Sequence, residues 1–308
     1  MVENLPLIID RVRFAKKLSW NKYLDARKMF QELKGLKLTE GTIKYNSGDY
    51  TARLHYGLGK NKGIAAVSVF ALENKTCSII FDLWPHRITG IRFQEFQNSI
   101  TSILDFEEFN YNDVFTHGHV QKVEYAFDIL NRPMHSFIAW TPRARFSEVY
   151  KEEVMCEYKG QVRLGSFRSP IRFSIYNKSL KLEKDGMPNP YPIRTRLEAI
   201  VFEPYRPGSL VQRMRPSQLD QLPNPFRFLE IADFNTARKL SLDPDWQYFL
   251  DLSAYGGAPG AFQEMDKKER LQARKMLRMS AATWWNPAYA WEGHQQANSA
   301  IHPQYLQV

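Results

Sequence analysis

Apolar positions alternate with polar ones in three short stretches in the middle of this 308-residue chain. In Ile171-Arg172-Phe173-Ser174-Ile175-Tyr176-Asn177-Lys178 the apolar side chains fall at 171, 173 and 175, while Arg172, Ser174, Tyr176 and Lys178 share the other face. Val123 to Ile129 places Val123, Tyr125, Phe127 and Ile129 on one side and Glu124 and Asp128 on the other. Arg194 to Ala199 sets Arg194, Arg196 and Glu198 on one face. A period of two marks a half-buried strand. Each stretch therefore predicts a strand with one apolar face and one solvated or functional face.

The same reading predicts further strands at 7–14, 51–57, 64–72, 76–83 and 161–165. Helical spacing appears at 20–34, where Trp20, Tyr23, Leu24, Met29, Phe30 and Leu33 form a stripe, and at 91–106, through Phe93, Phe96, Ile100, Ile103 and Leu104. A helical stretch is expected near 144–151, and 105–113 reads as an acidic loop. Residues 203–225 carry five prolines and read as a linker or wrapping segment, after which the pattern turns helical. Trp284, Trp285 and Trp291 read as a packing anchor, and the last ~15 residues as loose. The expected layout is α+β: a largely antiparallel sheet with helices on one face over residues 1–205, then a smaller helical region over 206–308.

Chemistry enters through Tyr176. A tyrosine on a rigid strand between Arg172 and Lys178 can serve as a nucleophile beside cations that hold a phosphate. The plain alternative is a strand tyrosine with its hydroxyl in water. Tyrosine, carboxylates and arginines on one sheet face are the parts of metal-assisted phosphoryl transfer. Glu124 and Asp128 lie about 13 Å apart along their strand, too far to share one ion without a bulge. The formal net charge of +9 favours an anionic partner, nucleic acid first. Cys77 and Cys156 have no metal-ligand spacing and read as reduced thiols of a cytoplasmic protein. No apolar run approaches ~18 residues, so no membrane span is expected.

Two further features carry alternatives. His117-Gly118-His119 reads either as a histidine-pair metal site or as a turn glycine between exposed histidines. Asp266 to Ser280 reads as a helix bearing Lys267, Lys268, Arg270, Arg274, Lys275 and Arg278, which is either a solvated face or a contact surface for DNA phosphates.

Three blocks together resemble the rolling-circle replication initiators of plasmids and phages, of the replication initiation factor (Rep_trans) type. They are Lys122 to Asp128, then Gly165-Ser166-Phe167-Arg168-Ser169 through Tyr176-Asn177-Lys178, then Thr195-Arg196-Leu197-Glu198. Their order, separation and the spacing from Gly165 to Ser169 to Tyr176 match that pattern over roughly residues 5–205. The chain departs from it at Glu124, where an aspartate is usual, at Lys181, where a glutamate is common, at Leu164, where a tyrosine is common, and at Arg172, which is offset.

The resemblance implies a Rep nuclease-like fold and a metal-dependent nicking and joining endonuclease. Tyr176 would attack one phosphodiester at an origin, form a 5′-phosphotyrosyl link and free a 3′-OH primer. Arg172, Lys178 and Arg196 would favour the phenolate. Glu124 and Glu198, with Asp128 second, would hold Mg²⁺ or Mn²⁺, and Asp128, Glu183 or His119 would complete the shell. The implied partners are origin duplex and single-stranded DNA, a host helicase and a second copy of the chain. Two other readings stand beside it: a DNA-binding replication regulator without nuclease activity, and a nuclease built on His117 and His119 with Tyr150 or Tyr158 as nucleophile.

Overall fold

The computed structural model describes residues 4–35, 37–38, 41–49, 51–57, 63–88, 92, 94–96, 98, 111–142, 147–151, 159–166, 168–202 and 214–303. The fold is α+β, with strands paired antiparallel. Contacts divide the chain into two compact units that interleave in sequence. The first comprises residues 8–125, 202–222 and 294–308, the second residues 1–7, 126–201 and 223–293.

In the first unit, strand β1 (Ile8–Leu18) leads into helix α1 (Trp20–Glu32), followed by β2 (Lys37–Leu38), β3 (Gly41–Gly48), β4 (Thr51–Gly57), β5 (Gly63–Ala71) and β6 (Cys77–Leu83). These strands run in the order β2-β3-β4-β5-β6-β1. Ser19 caps α1 by accepting from the Lys22 amide at 3.4 Å. Tyr23, Ala26 and Phe30, three and four residues apart, are its buried face, whereas Leu24 of the expected stripe is exposed. Helix α2 (Tyr111–His117) occupies part of the expected acidic loop. Its Tyr111 and Phe115 pack on Phe14, and Tyr111 also meets Phe81. Most of the helix expected over 91–106 lies outside the described residues. Strand β7 (His119–Leu130) starts in this unit and ends in the other.

The second unit contains β8 (Phe137–Trp140), β9 (Ser147–Lys151), β10 (Lys159–Leu164), β11 (Ile171–Asn177), α3 (Lys178–Lys184), β12 (Arg194–Phe202) and β13 (Glu230–Asp233). Helices α4 (Phe234–Lys239), α5 (Pro244–Gln263), α6 (Lys267–Met279) and α7 (Pro287–Trp291) complete it. Residues 147–151, expected as helix, are a strand because they pair with β10 (Val162 opposite Val149), and tertiary pairing overrides local pattern. Ile138 and Trp140 of β8 form one core with Trp246, Phe249, Phe262 and Leu277 of the helices. Trp285 meets Phe127 and Phe226, and Trp284 meets Phe137, so the tryptophan anchor is present.

The last ~15 residues are expected to be loose, but residues 294–303, the part of them that is described, are partnered. Helix α8 (His294–Ser299) belongs to the first unit. There Asn298 accepts from Tyr125 Oη at 2.6 Å and donates to Asp220 at 3.0 Å, and the Ile301 carbonyl accepts from Tyr111 Oη at 2.6 Å. Buried hydroxyls require such partners, and these recruit the tail. No described helix is long and apolar enough to cross a membrane.

Candidate active site

The spacing from Gly165 to Tyr176 is the geometry of one hairpin. Strand β10 ends at Leu164, opposite Phe173, and β11 begins at Ile171. Gly165 turns the chain with φ at +98°, a region that L side chains rarely adopt. A Cβ there would stand 3.1 Å from the Ile171 carbonyl oxygen and 3.3 Å from Ser169 Oγ. The Ser169 amide donates to the Ser166 carbonyl at 2.9 Å, closing the loop. Register then places Tyr176 between Gln161 of β10 and Arg196 of β12, with Ser174 opposite Glu198.

Diagonal neighbours on a sheet face lie within reach of long side chains. Tyr176 Oη donates to Glu198 Oε1 at 2.6 Å. Both groups are buried, at 5% and 8% exposure. The tyrosine hydroxyl is thus held by a carboxylate rather than by water. On the ring, the Lys181 ammonium sits 4.7 Å from the centroid. It comes from α3, which starts directly after β11 because Asn177 caps it through the Leu180 amide at 3.0 Å. Lys178, first in that helix, is buried, and Glu183 is exposed on it.

The expected polar faces are not solvated. From Val123 to Leu130 every residue of β7 is buried. Asp128, 3% exposed, accepts from Arg196 Nε at 2.7 Å and Nη2 at 2.8 Å, and from Arg194 Nε at 2.9 Å. Burial alone would raise its pKa, but the hydrogen bond and charge of Arg196, with Arg194 beside it, outweigh that and hold it below the usual aspartate range. The pairing makes the burial tolerable. It also engages Arg196, whose expected role was to act on Tyr176.

The remaining carboxylate, Glu124, belongs to the first unit and pairs there with Lys122. Among the described residues no group of three His, Cys, Asp or Glu side chains is arranged to hold a metal ion. Asp128 is engaged by its arginines, Glu198 by Tyr176 and Glu124 by Lys122. Gly118 of the histidine pair is required by packing: a Cβ would meet the Val114 and Ala15 carbonyl oxygens at 2.4 and 2.8 Å. His117 turns back to Asp113 at 2.9 Å. His119 is half-buried, and burial, then Lys17, lowers its pKa. Tyr158 lies outside the described residues, as does Cys156.

No family model matches the chain, and no curated protein matches it. Among solved structures it is similar to a rolling circle replication initiator protein from Geobacillus stearothermophilus. The identity is 12% and the TM-score 0.39, over 83% of this chain and 98% of that one.

Helix α6 carries the basic run, opened by a capping box in which Asp266 and Glu269 each accept the other's amide. Lys267, Lys268 and Arg270 are exposed. Arg274 lies 5.1 Å over the Phe262 ring, and Arg278 pairs with Glu230 at 3.1 Å. The pattern alone does not separate these two from the other cations. Lys181 stands out in sequence only as a departure, since nothing in a linear pattern tells that the first turn of a helix folds back over the preceding strand.

Proposed function

We propose that the chain is a DNA nicking and joining enzyme, a rolling-circle replication initiator in which Tyr176 is the nucleophile. The hydrogen bond of 2.6 Å from Tyr176 Oη to Glu198 carries this reading. A phenol ordinarily ionises near pH 10, so attack at neutral pH needs a proton acceptor in contact with it. Glu198 takes the phenolic proton as the Oη–P bond forms. The P–O3′ bond breaks, and the departing oxygen takes a proton from solvent to become a free 3′-OH. The DNA 5′ end stays on Tyr176 as a phosphotyrosine. The Lys181 ammonium, over the ring, favours the phenolate. Arg172 and Lys178, on the strand and at the helix start, are the proposed phosphate contacts. Asp128 and Arg196 form the support that fixes β12.

The order of the three blocks in sequence supports the same reading. A divalent ion enters it as a separate requirement, decided by nicking in Mg²⁺ or Mn²⁺ against nicking in EDTA; no step above is routed through it. Residues 1–205 carry the proposed chemistry, and the region from 206, above all α6, the proposed duplex contacts. A host helicase and a second copy of the chain are the partners that a replication initiator of this kind would need.

A second reading is favoured by one observation. Tyr176 is 5% exposed and Glu124, Asp128 and Glu198 all have partners, which also suits a DNA-binding regulator with no nuclease activity. The experiment is incubation with supercoiled DNA carrying the cognate origin, scored for a covalent protein–DNA adduct. Wild-type protein forms the adduct; Tyr176→Phe loses it and binds DNA within a few-fold of wild type. An adduct that survives Tyr176→Phe overturns the assignment, and no adduct from wild type in any divalent ion favours the regulator.

A further inference from the structure

We propose that the charged sheet face of the first unit docks the phosphodiester backbone of single-stranded DNA, through Arg11, Arg13, Arg53 and Lys44. The inference rests on the DNA reading above but uses none of the residues around Tyr176. Antiparallel register sets Lys44, His55, Ala66, Asp82 and Arg13 directly opposite one another on five consecutive strands, β3, β4, β5, β6 and β1. At ~4.8 Å between strands that row spans about 19 Å. Phe14 and Phe81, of opposite parity, face α2 on the other side.

Three guanidinium groups meet one carboxylate here. Arg11 donates to Asp82 at 2.7 and 2.6 Å, Arg13 at 2.7 Å, and Arg53 reaches it at 3.5 Å from two strands away. Arg53 can do so because Ala66 and Ser68 of β5 are small and lie beneath its arm, buried. Arg11 also rests 4.7 Å from the Trp84 ring, and His55 meets the same ring edge-on. The arginines are thereby held in place before any ligand arrives.

The second unit supplies the contrast. It repeats the device, a buried aspartate with an Arg-x-Arg pair from a neighbouring strand, but there Arg194 and Arg196 are 15% and 2% exposed and the pair is closed. Around Asp82 the side chains of Arg11, Arg13 and Arg53 are 24%, 32% and 31% exposed. Each guanidinium has five N–H donors, and a single carboxylate cannot use those of three. With Lys44 and Lys122 added, five cations stand against Asp82, Glu124 and Asp10, an excess of two positive charges (5 − 3). His55 adds none at neutral pH: burial, then Arg53 and Lys44, lowers its pKa. Surplus, preorganised, half-exposed guanidinium on an open face fits phosphate oxygens.

The test is fluorescence anisotropy of a short labelled oligonucleotide on full-length Tyr176→Phe protein, titrated at several salt concentrations. Arg53→Gln and Lys44→Gln each weaken binding several-fold, and the salt slope falls by about 0.7 for each phosphate left without its cation. Asp82→Asn, which removes the masking carboxylate, tightens binding; a purely structural cluster would not move in that direction. Arg13→Gln joined to Asp82→Asn keeps the charge balance, so its affinity is read without an uncompensated buried carboxylate. Variants that melt like the parent yet bind with its affinity and slope overturn the proposal, as does a preference for duplex of the same sequence that these variants alone reduce. Adduct formation at Tyr176 is scored separately. Arginine-dependent binding in a protein that forms no adduct leaves this surface standing and removes only the nicking reading.

Discussion

At the residue scale the site differs from what alternation suggests in which cation serves the tyrosine. Arg196 is opposite Tyr176 but engaged by Asp128, whereas Lys181 covers the ring. Lys181→Gln should slow single-turnover nicking a few-fold at neutral pH, consistent with ~0.5–1 kcal/mol for a partly exposed cation–ring interaction, and leave the melting temperature nearly unchanged. Glu198→Gln should slow it far more, because no acceptor remains for the phenolic proton. Asp128 makes a different prediction, about stability. Its pKa is lowered on folding, so its contribution is complete above the ordinary aspartate range near pH 4 and is lost as pH falls through the still lower folded value. Asp82 behaves alike. Melting temperature should therefore hold from neutrality to about pH 5 and fall below it. Asp128→Asn strands two arginines, and should cost about 3–5 kcal/mol at pH 7 while flattening the acid fall. An unchanged acid profile in that variant would remove Asp128 from the account.

At the element scale, strands with strict alternation and more than one large apolar residue are legible in the sequence: β4, β11 and β12 fall where the pattern predicts them. The strand β3 is not: Ile43 and Tyr45 alternate there as Leu54 and Tyr56 do in β4, but Gly41, Asn46, Ser47 and Gly48 around them read as turn residues, and the strand is held by pairing with β4. Short β8 and β13 escape for a related reason: four residues carry too little periodicity, and each exists through the other, Ile231 opposite Ala139. The hairpin β10–β11 is legible as a spacing but not as a cause. Gly165→Ala tests the cause: with φ at +98° and a carbonyl oxygen 3.1 Å away, it should destabilise by at least ~1 kcal/mol and lower nicking through Tyr176 placement. A Gly165→Ala protein with wild-type melting and nicking would show that the turn does not set the register. In α6 the cations expected to bind DNA should split. Alanine at Lys267, Lys268 or Arg270 should weaken duplex binding and lower the salt slope by about 0.9 for each phosphate no longer neutralised. Arg278→Ala should act instead on melting, through Glu230.

At the scale of the whole molecule, chain order is a poor guide to what folds together. Proline density suggests a break near residue 205, and helical periodicity beyond it is legible. Which earlier elements those helices cover is not, because long-range packing leaves no local trace. Within the second unit, β13 pairs with β8, and Trp246, Phe249, Phe262 and Leu277 close over Ile138 and Trp140. Phe226 packs tilted on Phe173 and Trp285 edge-on to Phe127, on the strands that carry Tyr176 and Asp128. Cutting the chain at 205 removes residues 223–293 from that unit and bares Trp140, now 1% exposed. Removing several large buried aromatic side chains at ~3–5 kcal/mol each exceeds the ~5–15 kcal/mol that holds an ordinary domain together. The truncated protein should therefore aggregate, or lose near-ultraviolet circular dichroism and cooperative melting, and should not form an adduct even on pre-melted single strands. Supplying residues 206–308 as a separate chain during refolding should restore part of both. A soluble 1–205 fragment that melts cooperatively and still nicks single strands would show that the sheet stands without these helices, and would make the region beyond 205 a separable DNA-binding module.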